Sequence, residues 1–409
     1  MRKQSTHIAL FGLFGVSNLG NDASLQAMLT HIRQQRPEAV ISCVCFDPEQ
    51  IIERFGIAAV PIAQAPTAAY RQEPTNRLLR LLWKGGRRAW LEPQLWYRML
   101  SYLRQVDQMI IPGTGILDDF GVHPLQMPYD LFRWVLGARL SGVKVYFASI
   151  GAGPIHHPLS RWFMKSAAAL AHYRSYRDEI SKEFMDSIQF DTERDPVYPD
   201  LVFSLPRPTA QVDGANSHTP KVVGLGVMEY YGWRNLANNG EEIYQRYVEK
   251  LGAFAVWLLD QGYAIKILIG QAHDQRAVDD IQHYIQQMAP HTPQCKVQAE
   301  SITTIEALLG AIVDTDLVVA TRFHNVLCAL MLNKPVVSLG YAKKNDVLMT
   351  EMGLGDYCQH IETFDVACLK QQFTELARNA SVFHAQMQQK NREYEHALQD
   401  QYERILAGA

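Results

Sequence analysis

The stretch that decides the fold reads Val318-Val319-Ala320-Thr321-Arg322-Phe323-His324-Asn325-Val326-Leu327-Cys328-Ala329-Leu330. Its apolar start predicts the end of a buried strand, and the residues from Asn325 to Leu332 predict a helix. A further strand is predicted to begin at Lys334-Pro335-Val336-Val337. Buried strands that alternate with helices are typical of a parallel sheet with helices on both faces. We therefore expect an α/β protein.

Arg322 and His324 stand where this predicted strand ends. In open α/β sheets, ligands bind beyond the carboxyl ends of the strands, and a helix N-terminus offers unpaired N–H groups to an anion. Arginine can clamp a carboxylate or phosphate with two hydrogen bonds, and histidine can exchange a proton near neutral pH. An ion pair and a satisfied histidine at a domain edge would account for the same residues, so both interpretations remain open at this point.

The composition is that of an ordinary soluble globular protein, with 47% hydrophobic and 20% charged residues in a chain of 409. The formal net charge of −3 excludes a strongly basic nucleic-acid-binding protein. The six cysteines are scattered without a C-x-x-C pair, which predicts reduced thiols in a cytoplasmic protein and no metal site.

The N-terminus resembles a short signal peptide, but no small-residue cleavage site follows its apolar segment. No apolar run approaches the roughly 20 residues that a membrane span requires. The expected location is the cytoplasm, with peripheral contact at the inner face of the cytoplasmic membrane as an open alternative.

Three glycine-rich loops follow predicted strands of the N-terminal half. The first contains Asn18, Gly20, Asn21 and Asp22, and we expect Asn21 or Asp22 to cap a helix over 23–35. The others contain Gly113 and Gly115, then Gly151 and Gly153. Glycines let backbone N–H groups approach a ligand closely, although such turns also serve only to join strand to helix. Three on one sheet edge predict a cleft.

A segment rich in proline, glycine and asparagine marks a domain boundary. The predicted division is an N-terminal domain over 1–205, a linker over 206–220, a second domain over 221–364 and a C-terminal helical segment over 365–409, expected as one helix that lies across the surface. Both halves alternate strand and helix, which predicts two Rossmann-like doubly wound domains facing across a cleft. Glu229, with aromatic neighbours, suits sugar binding or packing at the domain interface.

The stretch Arg77–Arg104 carries seven arginine and lysine residues against the single acid Glu92, with tryptophan and tyrosine interleaved. Such a surface suits an anionic membrane or a lipid-linked polyphosphate. A pair of helices that packs its leucines on the sheet and leaves its arginines in water would give the same pattern. We favour the second interpretation from the sequence alone.

The ordered set of motifs resembles the polysaccharide pyruvyltransferase family. The motifs are the N-terminal loop 15–23, Gly113-Thr114-Gly115, Gly151-Ala152-Gly153-Pro154, Arg177-Asp178-Glu179-Ile180-Ser181, Arg322-Phe323-His324, Lys334-Pro335-Val336-Val337 and Tyr341-Ala342-Lys343-Lys344. The resemblance runs from about residue 8 to residue 355. The last motif departs from the family pattern, because Ala342-Lys343 stands where the family commonly has Asp-Pro.

The resemblance implies a glycosyltransferase-B-like pair of Rossmann domains and transfer of pyruvate from phosphoenolpyruvate onto a sugar as a ketal. It places Arg322 and His324 in phosphoenolpyruvate binding and catalysis. The other residues that we expect to bind substrates are Asn18, Gly20, Asn21, Asp22, Gly113, Gly115, Gly151, Gly153, Arg177, Glu229, Asp274, Asn325, Tyr341 and Lys344. Phosphoenolpyruvate is the expected donor substrate, bound on the second domain with the acceptor on the first, and no cofactor is expected.

The chemistry itself requires a proton donor for the vinyl carbon, for which His324 is the candidate, and a carboxylate to deprotonate the sugar hydroxyls. Asp22, Glu229 and Asp274 are candidates for that base. We expect the acceptor to be a cell-surface polysaccharide or its lipid-linked precursor. The alternatives are a sugar-nucleotide-dependent glycosyltransferase and a non-catalytic assembly partner with the same fold.

Overall fold

The computed structural model describes residues 5–16, 18–63, 77–208, 221–232, 239–300 and 302–407, with residues 77–89 described by their backbone alone. The chain forms two compact units. The first comprises Met1–Val16, Ser24–Leu201 and Asp400–Ala409, and the second comprises Ser17–Ala23 and Val202–Gln399. Most of the predicted linker, residues 209–220, lies outside the described part of the chain.

The first unit is built on a six-stranded sheet of the described residues, in the order β3-β2-β1-β4-β5-β6, with every pairing parallel. Its strands are β1 (His7–Phe11), β2 (Val40–Cys45), β3 (Ala58–Pro61), β4 (Gln108–Pro112), β5 (Lys144–Ile150) and β6 (Tyr173–Tyr176). Its helices are α1 (Leu19–Gln35), α2 (Pro48–Phe55), α3 (Arg77–Leu103), α4 (Met127–Leu140), α5 (Pro158–Leu170) and α6 (Glu179–Ser187). The strand order reverses at β1, as in doubly wound folds.

The second unit repeats this plan, with the described strands in the order β12-β11-β10-β7-β8-β9, again all parallel. Its strands are β7 (Val222–Gly226), β8 (Ala264–Leu268), β9 (Val297–Ala299), β10 (Leu317–Ala320), β11 (Val336–Gly340) and β12 (Cys358–His360). Its helices are α7 (Gly240–Asp260), α8 (Gln275–Met288), α9 (Ile305–Val313), α10 (Phe323–Met331), α11 (Lys343–Glu351), α12 (Val366–Arg378) and α13 (Ala380–Ala407). The predicted α/β class with two doubly wound domains is confirmed.

The central strands are mostly apolar because helices cover both faces of each sheet. Every residue of β4 and β10 is buried. Side-chain caps begin several helices: Asp178 accepts a hydrogen bond from the Ser181 amide at 2.7 Å, and Asp365 accepts one from the Cys368 amide at 2.8 Å. Such caps satisfy amides that the first helical turn leaves unpaired.

Two predicted helix boundaries are wrong. Helix α1 starts at Leu19 rather than at residue 23, because the Asn18 side chain accepts hydrogen bonds from the amides of Gly20 and Asn21 at 3.1 and 3.4 Å. Gly20, Asn21 and Asp22 therefore belong to the first helical turn, and neither Asn21 nor Asp22 caps it. The C-terminal segment is two helices, not one, since α12 ends before Asn379.

The C-terminal helix α13 has a buried face. Met387, Leu398 and Tyr402 are fully buried along it, as are the polar residues Asn391 and Gln401. The Asn391 amide donates to the Leu330 carbonyl, and Gln401 exchanges hydrogen bonds with Ser149 and Ser175. Residues up to Gln399 belong to the second unit and those from Asp400 to the first.

The basic stretch forms the single helix α3 instead of the expected pair, and Pro93 lies within it. The side chains of its first residues, up to 89, lie outside the described part. Of the helices in the described ranges, none combines enough length with enough apolar residues to cross a membrane.

Candidate functional site

An ion pair organises the carboxyl edge of the second sheet. Arg322, directly after β10, donates from Nε to Asp274 Oδ2 at 3.0 Å, and its Nη2 contacts Asp274 Oδ1. Asp274 is fully buried and the Arg322 side chain is 11% exposed. The two residues are 48 positions apart. This bidentate geometry fixes the plane of the guanidinium group.

Asp274 also connects neighbouring loops through hydrogen bonds. Its carboxylate accepts hydrogen bonds from the backbone amides of Gly270 at 3.2 Å, Gln271 at 3.1 Å and Glu229 at 3.1 Å. These amides follow β8 and β7, and Arg322 follows β10. The Asp274 carboxylate therefore joins the ends of three strands. A carboxylate held by four neighbours is suited to orienting Arg322. The geometry therefore assigns Asp274 a structural role in the site and not that of the general base.

Arg322 retains one nitrogen for a ligand. Its Nη2 also contacts His273 Nε2 at 2.9 Å, whereas Nη1 has no hydrogen-bond partner among the described residues. The aliphatic part of the side chain packs on Gly270, where a Cβ would lie 3.1 Å from Arg322 Cγ. The ion pair that the sequence left as an alternative is present, and it leaves part of the guanidinium able to bind an anion.

His324 lies in the first turn of α10, which begins at Phe323 with Arg322 as its N-cap residue. The expected start at Asn325 is therefore two residues late. Arg322 makes no side-chain cap bond, and the positive end of the helix dipole favours an anion at this N-terminus. Arg322, His324 and the positive end of the helix lie together at the end of one strand.

Residues 18–23 contain the first turn of α1 and belong to the second unit, where they pack against His324. Asn18 forms an antiparallel bridge with Gln271, and the imidazole lies over Gly20 so closely that a Cβ at residue 20 would be 1.9 Å from His324 Cε1. Gly20 thus acts by leaving room for the imidazole. Asp22, expected as a base or substrate ligand, is 2% exposed.

We expect Gly20→Ala to lower kcat by about 100-fold, because a catalytic group displaced by about 1 Å can cost that much. The matched control is Gly310→Ala in α9, where a Cβ meets nothing within 4 Å. Steady-state kinetics on both purified variants test this. Equal kcat for the two variants would show that the position of the imidazole is unimportant.

Asn325, an expected ligand-binding residue, is fully buried next to Gly226. Neither its amide oxygen nor its amide nitrogen has a hydrogen-bond partner among the described residues. Its side chain is therefore not brought to the surface with Arg322 and His324.

Lys344 and Tyr341 lie beside the Arg322–His324 turn. The Lys344 ammonium is 5.0 Å from the centre of the Phe323 ring and 5.4 Å from that of Tyr341. The Tyr341 ring is in turn 6.2 Å from the Tyr230 ring. Cation–π contacts hold a lysine in place while leaving its N–H groups able to bind an anion. The structure thus places a second cation next to residue 323.

Glu229 is held by Tyr231, whose hydroxyl donates to Glu229 Oε1 at 2.5 Å. Burial and this hydrogen bond raise the pKa of Tyr231 to about 12, so the hydroxyl stays protonated at neutral pH. Arg276 lies 3.9 Å from the same carboxylate oxygen. Of the three expected base candidates, Glu229 is the one whose carboxylate is partly exposed, at 20%.

Gly115 and Gly151, two of the expected residues of the first unit, lie near Arg177 at the carboxyl edge of its sheet. A Cβ at Gly151 would lie 2.7 Å from Arg177 Cζ, and one at Gly115 would lie 3.9 Å from its Nη2. Arg177 forms ion pairs with Asp178 at 3.4 Å and Asp200 at 3.5 Å. Gly151 therefore makes room for a guanidinium group of the chain itself.

The remaining two loop glycines have different neighbours. Gly113 has a positive φ of 52° and packs on Ser24, whose hydroxyl donates to the Gly113 carbonyl at 3.1 Å. Gly153 faces a carboxylate, because a Cβ there would lie 2.4 Å from Asp118 Oδ2. The sequence interpretation missed Asp118, although it lies only three residues after Gly115.

We expect Gly151→Ala to destabilise the first unit by about 1–3 kcal/mol, the usual cost of overpacking. Gly115→Ala, at ordinary contact distance from the same side chain, serves as the control. Thermal denaturation distinguishes them: Tm should fall by several degrees for Gly151→Ala alone. A Tm equal to that of the control would contradict the packing of Arg177 on Gly151.

The same fold occurs in nucleotide-sugar enzymes. The UDP-GlcNAc 2-epimerase of Neisseria meningitidis, solved with UDP-GlcNAc, is 11% identical and superimposes with a TM-score of 0.62, covering 99% of this chain and 100% of that one. A putative UDP-N-acetylglucosamine 2-epimerase of Listeria monocytogenes is 11% identical with a TM-score of 0.61, covering 98% and 95%. These likenesses confirm a two-domain fold of the glycosyltransferase-B type.

Comparison with curated proteins finds no significant match to the sequence. The sequence model of the polysaccharide pyruvyl transferases, in contrast, matches residues 18–343. The match includes the loop at Gly20, the Arg177 cluster and the Arg322–His324 turn. The chain belongs to the polysaccharide pyruvyl transferase family.

Proposed function

We propose that this transferase moves pyruvate from phosphoenolpyruvate onto two hydroxyls of a sugar as a ketal and releases phosphate. The observation that carries the proposal is the Arg322–His324 pair at the N-terminal turn of α10, with Arg322 oriented by buried Asp274. The sugar belongs to a cell-surface polysaccharide or to its lipid-linked precursor.

The donor requires a site that stabilises two anionic groups. Arg322 Nη1 and the Lys344 ammonium can each bind a carboxylate or phosphate oxygen, and the positive N-terminal end of α10 attracts the same anionic groups. Asp274 offsets part of the Arg322 charge. Lys344 and the N-terminus of α10 therefore supply the rest of the positive charge that binds the anionic donor.

The reaction balances with one histidine as proton carrier. His324 protonates the methylene carbon of phosphoenolpyruvate, and the first sugar hydroxyl attacks the resulting cationic carbon, giving up its proton. The second hydroxyl then forms the other C–O bond as the bond to phosphate breaks, and its proton leaves with phosphate. One hydroxyl proton replaces the proton that His324 supplied, so the imidazole is restored after each turnover. Glu229 is the remaining candidate for accepting hydroxyl protons.

Acceptor binding on the first unit stays a prediction. The Arg177 cluster and Asp118 supply charged groups at the carboxyl edge of that sheet, where ligands of open α/β folds bind. Charged side chains there can hydrogen-bond sugar hydroxyls or a sugar-linked phosphate.

A thermal-shift experiment tests the donor. Phosphoenolpyruvate at about 100 times its Kd stabilises the protein by about 2.7 kcal/mol, which raises Tm by several degrees. A UDP-sugar that raises Tm where phosphoenolpyruvate does not would favour a glycosyltransferase instead. If phosphoenolpyruvate binds but no acceptor releases phosphate, the non-catalytic alternative is favoured.

A further inference from the structure

The helices α3, α4 and α5 form one layer on the first sheet. The Tyr129 hydroxyl of α4 donates to Glu92 of α3, and the Phe132 ring of α4 lies 5.3 Å from the Trp162 ring of α5. These contacts fix which residues of the three helices lie side by side. Trp90, two residues before Glu92, and Trp162 are therefore at the same end of the layer.

That end of the layer exposes aromatic side chains to solvent. Trp90 is 63% exposed, Tyr97 is 74% exposed and Trp162 is 55% exposed. Trp90 and Tyr97 are seven residues apart on α3 and share one helical face. Leu159, in the first turn of α5, is 39% exposed. Large aromatic side chains that are exposed on neighbouring helices often mark an interaction surface.

Helix α5 places positive charge beside Trp162. Helix α5 contains Arg161 and Lys165 and no acidic residue. The acid of α3, Glu92, is already engaged by Tyr129 and lies 3.6 Å from Arg133. A groove of about 400 Å³ on α5 is lined by Arg161, Trp162, Lys165 and Phe190. Cations beside exposed tryptophan and tyrosine are the combination found where proteins rest on anionic lipid.

We infer that the outer face of α3 and α5, carrying Trp90, Tyr97 and Trp162 with Arg161 and Lys165, docks on an anionic bilayer. The aromatic rings enter the headgroup region, and the cations contact the lipid phosphates. Helix α5 begins soon after Gly151, so this surface adjoins the sheet edge that carries Arg177. The inference deepens the proposed function, because it implies that the acceptor sugar is presented on a lipid anchor.

Vesicle co-sedimentation of the full-length protein without substrates tests the surface. Vesicles of phosphatidylcholine alone are compared with equal parts phosphatidylcholine and phosphatidylglycerol. Binding to the anionic vesicles is expected, and the double variant Tyr97→Ser/Trp162→Ser should weaken it by about tenfold or more. The control is Met288→Ser/Val382→Ser, which removes comparably exposed side chains of the second unit, at 61% and 63%.

Three outcomes would overturn the inference: no binding to anionic vesicles, equal binding to neutral ones, or equal loss in the control variant. A wild-type dimer in sedimentation that the Tyr97→Ser/Trp162→Ser variant loses would assign the surface to a second copy of the chain. Turnover on a short water-soluble acceptor should be unchanged in that variant. Vesicle binding without any pyruvyl transfer would overturn the proposed function and leave the docking surface intact.

Discussion

Replacing His324 with alanine is expected to lower kcat by about 10²- to 10⁴-fold, the usual contribution of a positioned acid–base group. The imidazole lies in the first turn of α10, where it can deliver a proton to the methylene carbon of a donor held by Arg322. Donor affinity should change little, because anion binding rests on Arg322, Lys344 and the positive N-terminal end of α10. Phosphate release under saturating phosphoenolpyruvate and acceptor measures the loss.

His384→Ala is the matched control for this variant. His384 is an exposed histidine of the same unit, and it contacts the Asn333 carbonyl at 3.0 Å, before β11 and so at the opposite edge of the sheet. Its replacement should leave kcat unchanged. A purified, folded His324→Ala enzyme with wild-type kcat would rule out proton transfer by this residue.

Arg322→Lys is expected to raise the KM for phosphoenolpyruvate about 10- to 100-fold, although charge is conserved. The guanidinium engages Asp274 with two nitrogens and keeps a third for the ligand, and an ammonium group cannot do both in the same plane. Losing one charge-assisted hydrogen bond costs about 1.5–3 kcal/mol, and every 1.4 kcal/mol is about tenfold in affinity. Initial rates over a range of phosphoenolpyruvate concentrations give the KM.

The control substitution is Arg404→Lys, at an exposed arginine paired with Asp400 at 2.9 Å on α13. Surface pairs of this kind contribute at most about 1 kcal/mol, so both KM and Tm should stay close to the wild type. An unchanged KM in Arg322→Lys would mean that the donor does not contact this guanidinium.

The fold was predictable from the sequence because its strands are buried on both faces. Parallel strands covered by helices read as continuous apolar runs, and Leu317–Ala320 is such a run. Helix starts were less predictable. Asn18 caps α1, but Asn21 and Asp22, in the same loop, are equally good cap residues by type, so the sequence does not say which one begins the helix. Helix α10 starts at Phe323 without a side-chain cap, so no residue pattern marks its start.

The site was predictable only where its residues are close in sequence. Arg322 and His324 were recognised as a pair, whereas the ion pair between Arg322 and Asp274 joins two strand ends and leaves no local signal. The glycine loops show a second limit. A glycine indicates that something approaches the backbone closely, but not what approaches. At Gly20 it is the imidazole of His324, and at Gly151 it is the guanidinium of Arg177.

Mass spectrometry of the acceptor tests the central claim most directly. The protein is incubated with phosphoenolpyruvate and a panel of sugar acceptors, in parallel with the His324→Ala variant. We predict an acceptor that gains the mass of one pyruvyl ketal, together with one phosphate released per ketal, and neither product with the variant. Transfer of a sugar from a UDP-sugar, with no pyruvyl product from phosphoenolpyruvate, would contradict the account.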